Sequence, residues 1–286
     1  MNPANESFPL IDAQDLAAAL DASDLRIVDA RFALNDPAAG RQAYQVSHLP
    51  GAVHADLNQD LSDLGRSGHG RHPLPDATVF AQRLGEWGIG PQDRVVVYDA
   101  GDGSMAAARL WWMLKLMGHA RVAVLDGGLA AWRALGLPED DQPAHPTRRT
   151  PYPAGFDLRA IVSSDEVLAR LGDAPGWLLD ARAAERFRGD VEPIDPVAGH
   201  VPGAVNRPFV QQLENGRFKA PAALRQALAP LVGDRAADEM VVMCGSGVTA
   251  CHLALALAAA GWPGVRVFAD SWSGWIEDPA RPVAHG

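Results

Sequence analysis

Cysteine is scarce in this chain. Only Cys244 and Cys251 occur among 286 residues. So few thiols exclude a disulfide framework, and two cysteines beside one histidine do not make a zinc spacing, so no metal site is expected. A long hydrophobic run is missing too: the longest, Leu253 to Trp262, is about half a membrane span. The opening "MNPANESFPLIDAQDL" has neither a basic region nor an apolar stretch, so no secretory signal is expected. Positive charge is in deficit, with 25 Lys and Arg against 35 Asp and Glu and a net charge of −10. That balance argues against nucleic acid or an anionic membrane as partner. These absences leave a cytoplasmic, soluble protein in a reducing compartment as the expectation.

What is present is a repeat. "RIVDAR" at Arg26–Arg31 returns as "WLLDAR" at Trp177–Arg182, and "HLPGAV" at His48–Val53 returns as "HVPGAV" at His200–Val205. "RVVVYDAGDGSMAAARL" from Arg94 has its counterpart in "EMVVMCGSGVTACHL" from Glu239, and "LDGGLAAW" from Leu125 in "ADSWSGW" from Ala269. The order is kept while loop lengths drift, and the unit is far longer than a solenoid repeat. A tandem duplication is therefore predicted, with domains at residues 1–138 and 157–286. Residues 139–156 are read as the linker, since "GLPEDDQPAHPTRRTPYPAGF" carries five prolines and alternating charges.

Each half alternates short apolar runs with helical patterns. "LRIVDA", "RVVVYD" and "RVAVLD" in the first half, and "GWLLDA", "EMVVMC" and "VRVFAD" in the second, read as buried strands. "DAQDLAAAL", "DATVFAQRLGEWG", "SSDEVLARL" and "PAALRQALAPLVG" read as helices, the third opened by a Ser163-x-x-Glu166 capping box. The fold class is α/β, each domain a mostly parallel sheet with helices on both faces. Ligands of such sheets sit beyond the carboxyl ends of the strands. Cys244 follows one of them.

The loop "CGSGVTA", Cys244–Ala250, leads into a helix expected near Val248. A helix start presents unpaired N–H groups and partial positive charge, which favour a thiolate there. Gly245 and Gly247 permit an anion nest of backbone amides around the sulfur. Cys251 lies a turn further and is expected to face the core, as is His252. Gly101-x-Gly103-x-x-Ala106, with Asp126 following, imitates a dinucleotide fingerprint. Its alignment with the cysteine loop makes it a degenerate twin, and no cofactor is expected.

The tandem halves, "CGSGVTA", "HLPGAV…RHPLP", "ERFRGDVEP…GHVPGAVN" and "DSWSGW" together resemble the two-domain rhodanese-like sulfurtransferases, and among them the 3-mercaptopyruvate sulfurtransferase branch. The resemblance implies two rhodanese-like domains, the first lacking the cysteine, with Asp99 opposite Cys244. It implies that Cys244 takes sulfur from a small-molecule donor as a persulfide and passes it to a thiol or cyanide, a thioredoxin-like protein among the acceptors. It further implies an Asp56–His72–Ser246 relay beside the cysteine. Arg186 is implied as the anchor for a donor carboxylate, a role that suits a guanidinium fork, while Arg188 is read as structural. Gly245, Gly247, Val248 and Thr249 complete the substrate-binding loop. The second arginine of the branch, after "EP", is replaced here by "IDPVAG".

Three rivals stay in view. A thiosulfate sulfurtransferase should carry cations inside the loop, and "CGSGVTA" has none. A cysteine phosphatase or arsenate reductase loop needs arginine where this chain has Ala250, and is discarded. A non-catalytic binding module is at odds with the intact cysteine loop of the second half. "DSWSGW" reads either as a cap on the core or as an aromatic wall of the pocket.

Overall fold

The apolar runs form the centres of two parallel sheets of the same strand order. The computed structural model describes residues 8–153 and 155–286. The chain divides into two units. One holds residues through Asp63, Pro75–Asp157 and Asn215–Phe218; the other holds Leu64–Leu74, Leu158–Glu214 and Lys219–Gly286.

In the first unit β1 (Leu10–Ile11), β2 (Leu25–Asp29), β3 (Val53–His54), β4 (Arg94–Tyr98) and β5 (Val122–Leu125) assemble in the order β1-β5-β4-β2-β3, all pairs parallel. Helices α1 (Ala13–Ala18), α2 (Ala39–Val46), α3 (Ala77–Glu86), α4 (Ala106–Leu116) and α5 (Gly128–Ala134) flank the sheet. In the second unit β6 (Ile161–Val162), α6 (Ser164–Ala169), β7 (Leu178–Asp180), α7 (Ala184–Arg188) and β8 (Val205–Asn206) come first. Two-residue strands β9 (Leu213–Glu214), in the second unit, and β10 (Arg217–Phe218), in the first, flank Asn215 and Gly216, whose φ angles of 53° and 74° are those of a type I′ turn. The chain continues through α8 (Pro221–Val232), β11 (Val241–Met243), α9 (Thr249–Ala259), β12 (Arg266–Phe268) and α10 (Ser271–Trp275). The second sheet runs β6-β12-β11-β7-β8, again parallel throughout. The two orders are identical position by position, as a duplication requires.

The repeated words have repeated physical jobs. Asp29 ends β2 and takes the Arg31 guanidinium at 2.6 Å; Asp180 ends β7 and takes Arg182 at 2.7 Å, all four groups buried. His48 bonds through Nδ1 to the Tyr44 carbonyl at 2.7 Å and stacks on that ring. His200 does the same with Phe187, at 2.8 Å. Breaking either aspartate–arginine pair would strand a buried charge, at a cost of about 3–5 kcal/mol.

Local signals mostly hold, with one correction. The Asp12 and Ser163 side chains cap α1 and α6, accepting from the Asp15 and Glu166 amides. The reciprocal half of the Ser163 box is not made. Glu166 pairs with Arg266 instead, Nη2 to Oε2 at 2.9 Å, because a charge-assisted bond outcompetes one to an amide. The proline-rich segment lies along α3, with Arg149 and Tyr152 amides donating to the Gly85 and Ala81 carbonyls. Trp132, Trp272 and Trp275 are fully buried in the two apolar cores, so "DSWSGW" caps the core. Among the described residues no helix is long and apolar enough to cross a membrane.

Candidate active site

Cys244 follows β11 at the centre of the second sheet, and α9 begins five residues later. The cysteine is 2% exposed. No side chain caps α9, whose N-cap is Val248. The partial positive charge of that helix start is thus left to the loop Cys244–Val248, with Thr249 as its first helical residue. Gly247 has a φ of 75°, a left-handed value that a side chain would strain. Cys251 is buried and its thiol donates to the Gly247 carbonyl at 3.1 Å. It props the loop from the core side.

The backbone of Cys244 is pinned by α10. The Cys244 amide donates to Ser271 Oγ at 3.1 Å, its carbonyl accepts from the Trp272 amide, and the Gly245 carbonyl accepts from the Ser273 amide. Ser271 itself sits at a φ of 53°, rare for a residue with a side chain. These serines were not legible as site residues.

His72 and Ser246 are brought together. Their side chains join, Nδ1 to Oγ, at 2.7 Å, and both residues are buried. His72 arrives on Leu64–Leu74, a stretch of the first sequence half that belongs to the second unit. Glu277 holds that stretch by accepting from the Gly68 and Gly70 amides, His69 bonds Asp270 at 3.1 Å, and the Arg71 amide donates to Ser273 Oγ at 3.0 Å. A methyl group on Gly70 would lie 2.6 Å from the Asp270 carbonyl oxygen, so glycine permits this approach. Asp56 belongs to the first unit, where it is buried and accepts from the Asn58 and Gln59 amides.

Arg186, on α7, comes to the loop but is not idle. It holds Glu192 at 2.7 Å and Asp195 at 3.1 Å, both carboxylates almost wholly buried. Arg188 pairs with Asp190 at the surface. A second cation stands where the sequence suggested none: a methyl group on Gly245 would sit 2.9 Å from Arg71 Nη2 and 3.6 Å from the Arg186 guanidinium. The absence of Arg and Lys from "CGSGVTA" is therefore no measure of the charge around it. Burial pulls the Arg71 pKa down from its ordinary value.

The twin loop of the first unit is filled from within. Asp99, the counterpart of Cys244, accepts from the Gly101 and Gly103 amides at 3.1 and 3.0 Å and from Met105 at 3.4 Å. The amides that a phosphate would need are taken by the chain's own carboxylate.

Residues 12–135 and 163–278 each match the family model for the rhodanese-like domain. Over 283 residues the chain is 48% identical to a probable 3-mercaptopyruvate sulfurtransferase of Pseudomonas aeruginosa, covering 98% of this chain and 99% of that protein. It is 41% identical to a putative thiosulfate sulfurtransferase, SseB, of Mycobacterium tuberculosis, with 97% of each covered. The crystal structure of the 3-mercaptopyruvate sulfotransferase SseA from Escherichia coli superimposes with a TM-score of 0.79 at 32% identity, covering 93% of this chain and all of that one.

Proposed function

The chain belongs to the rhodanese-like domain family, and from that premise we propose that it is a sulfurtransferase moving sulfane sulfur from 3-mercaptopyruvate to a thiol or cyanide through a Cys244 persulfide. One observation carries the reading: a buried cysteine between a sheet end and an uncapped helix start, with the His72–Ser246 pair on the same unit. The Cys244 thiolate attacks the donor's sulfur. The S–S bond forms as the C–S bond breaks, and the electron pair passes to the carbonyl as an enolate, which takes a proton to become pyruvate. Ser246 and His72 stabilise the growing oxyanion and manage that proton. Arg186 anchors the carboxylate, while Gly245, Gly247, Val248 and Thr249 shape the floor. An acceptor thiolate then attacks the outer sulfur, and Cys244 leaves as thiolate.

Finer features belong to the same proposal. The duplicated domains run over 1–138 and 157–286, the protein works in the cytoplasm, and a thioredoxin-like thiol is one acceptor. Nucleic acid and membranes are not partners.

Thiosulfate is the second reading, favoured by Arg71 beside Gly245. Against it, Glu192 and Asp195 match the charges of Arg186 and Arg71, leaving no net positive charge for a dianion. Steady-state kinetics with both donors decide. The ratio of kcat/KM for mercaptopyruvate over thiosulfate is expected to be at least about tenfold, roughly 1.4 kcal/mol. Ser246→Lys should narrow it. Equal efficiencies in the unmodified protein would reverse the donor assignment, and no transfer from either donor would favour a binding module.

A further inference from the structure

Arg71 has no counterpart in the roles just assigned. Its guanidinium stands against Gly245, the neighbour of Cys244. One edge pairs with Asp195, while Nε is buried without a hydrogen-bond partner. Asp195 does not depend on it, because Arg186 already binds the other carboxylate oxygen. A guanidinium that is partly desolvated, incompletely hydrogen-bonded and adjacent to the reacting cysteine is poised for another anion. The chain also lacks the arginine that the resemblance led one to expect after "EP".

We propose that Arg71 is a second anchor for the donor's anionic end, standing in for that missing arginine, and that Asp195 sets how much of its charge the donor meets. The proposal rests on the sulfurtransferase reading and names a specificity-determining residue within it. The donor's carboxylate or sulfonate oxygen shares the guanidinium with Asp195, completing its hydrogen bonds. A monoanion is accommodated by this shared cation, whereas a dianion also meets the Asp195 charge.

Two measurements test the anchor separately from the activity. In steady state, Arg71→Ala is expected to raise KM for mercaptopyruvate about tenfold or more with kcat changed less than about threefold, Arg71→Lys recovering part of the loss. Asp195→Asn is expected to improve thiosulfate use more than mercaptopyruvate use. Independently, Cys244 is alkylated with iodoacetate and with iodoacetamide; the thiolate displaces iodide in both, and only the first reagent carries a carboxylate. The iodoacetate-to-iodoacetamide rate ratio should fall several-fold in Arg71→Ala and largely return in Arg71→Lys, an effect that mere displacement of His72 would not give. An unchanged ratio together with an unchanged KM overturns the anchor. A lowered ratio in a protein that transfers no sulfur supports the anchor and removes the sulfurtransferase reading instead.

Discussion

At the scale of residues, two cysteines seven positions apart have opposite surroundings. Cys244 opens the loop whose next residue, Gly245, stands against the Arg71 and Arg186 guanidinium groups, while Cys251 is tied by its thiol to the Gly247 carbonyl in the core. Serine can replace the second as a donor but cannot carry sulfane sulfur in place of the first. Cys244→Ser is therefore expected to abolish transfer, and Cys251→Ser to keep most of it, in a cyanide-acceptor assay. Retained turnover in Cys244→Ser would remove the nucleophile. Arg186 has two attachments to lose. Arg186→Ala should raise KM for the donor, and it should also destabilise the fold by about 3 kcal/mol, the low end for a broken buried pair. The low end applies because Arg182 still reaches Glu192 and Arg71 still reaches Asp195. Denaturant titration beside kinetics separates the two effects, and an unchanged KM would move the anchor off Arg186.

At the scale of elements, the site depends on a loop clamped to a five-residue helix. Gly70 and Gly274 approach so closely that a methyl group on Gly274 would lie 2.6 Å from Asp270 Cβ and 3.2 Å from the Gly70 amide. Gly274→Ala should push away the stretch that carries Arg71 and His72. A cost of about 1–3 kcal/mol in stability and a larger fall in kcat/KM are expected, and wild-type kinetics in that variant would show that the clamp is not needed. The long strands and helices were legible because their apolar residues recur at the period of a buried strand or an amphipathic helix. The two-residue edge strands β1, β3, β6 and β8 were not, since two residues carry no period. The cysteine loop could be read because its chemistry is contiguous. Arg71, Ser271 and Ser273 could not, because they reach it through tertiary contacts, and only the arginine's place beside His72 in "GRHPLP" offered a clue.

At the scale of the whole molecule, the repeat puts an aspartate, Asp99, after β4 and a cysteine, Cys244, after β11, two strands at the same position in sheets of the same order. After β4, burial pushes the Asp99 carboxyl up to about 6, against the pull of the amides it accepts from. The folded chain then binds more protons than the unfolded one between about pH 4 and pH 6, so stability contributed by this group falls as pH rises through that window, by roughly 3 kcal/mol in all. Asp99→Asn should flatten that part of the profile in denaturant titrations, and an identical slope would mean that Asp99 titrates normally. After β11 the anion is the proposed Cys244 thiolate, and the whole account turns on it. Its most direct test is intact-protein and peptide mass spectrometry after brief exposure to 3-mercaptopyruvate without acceptor. The expected result is the mass of one added sulfur atom on the peptide bearing Cys244, localised to that residue, removed by cyanide, and absent from Cys244→Ser. No added sulfur on Cys244, or the same gain in Cys244→Ser, would contradict it.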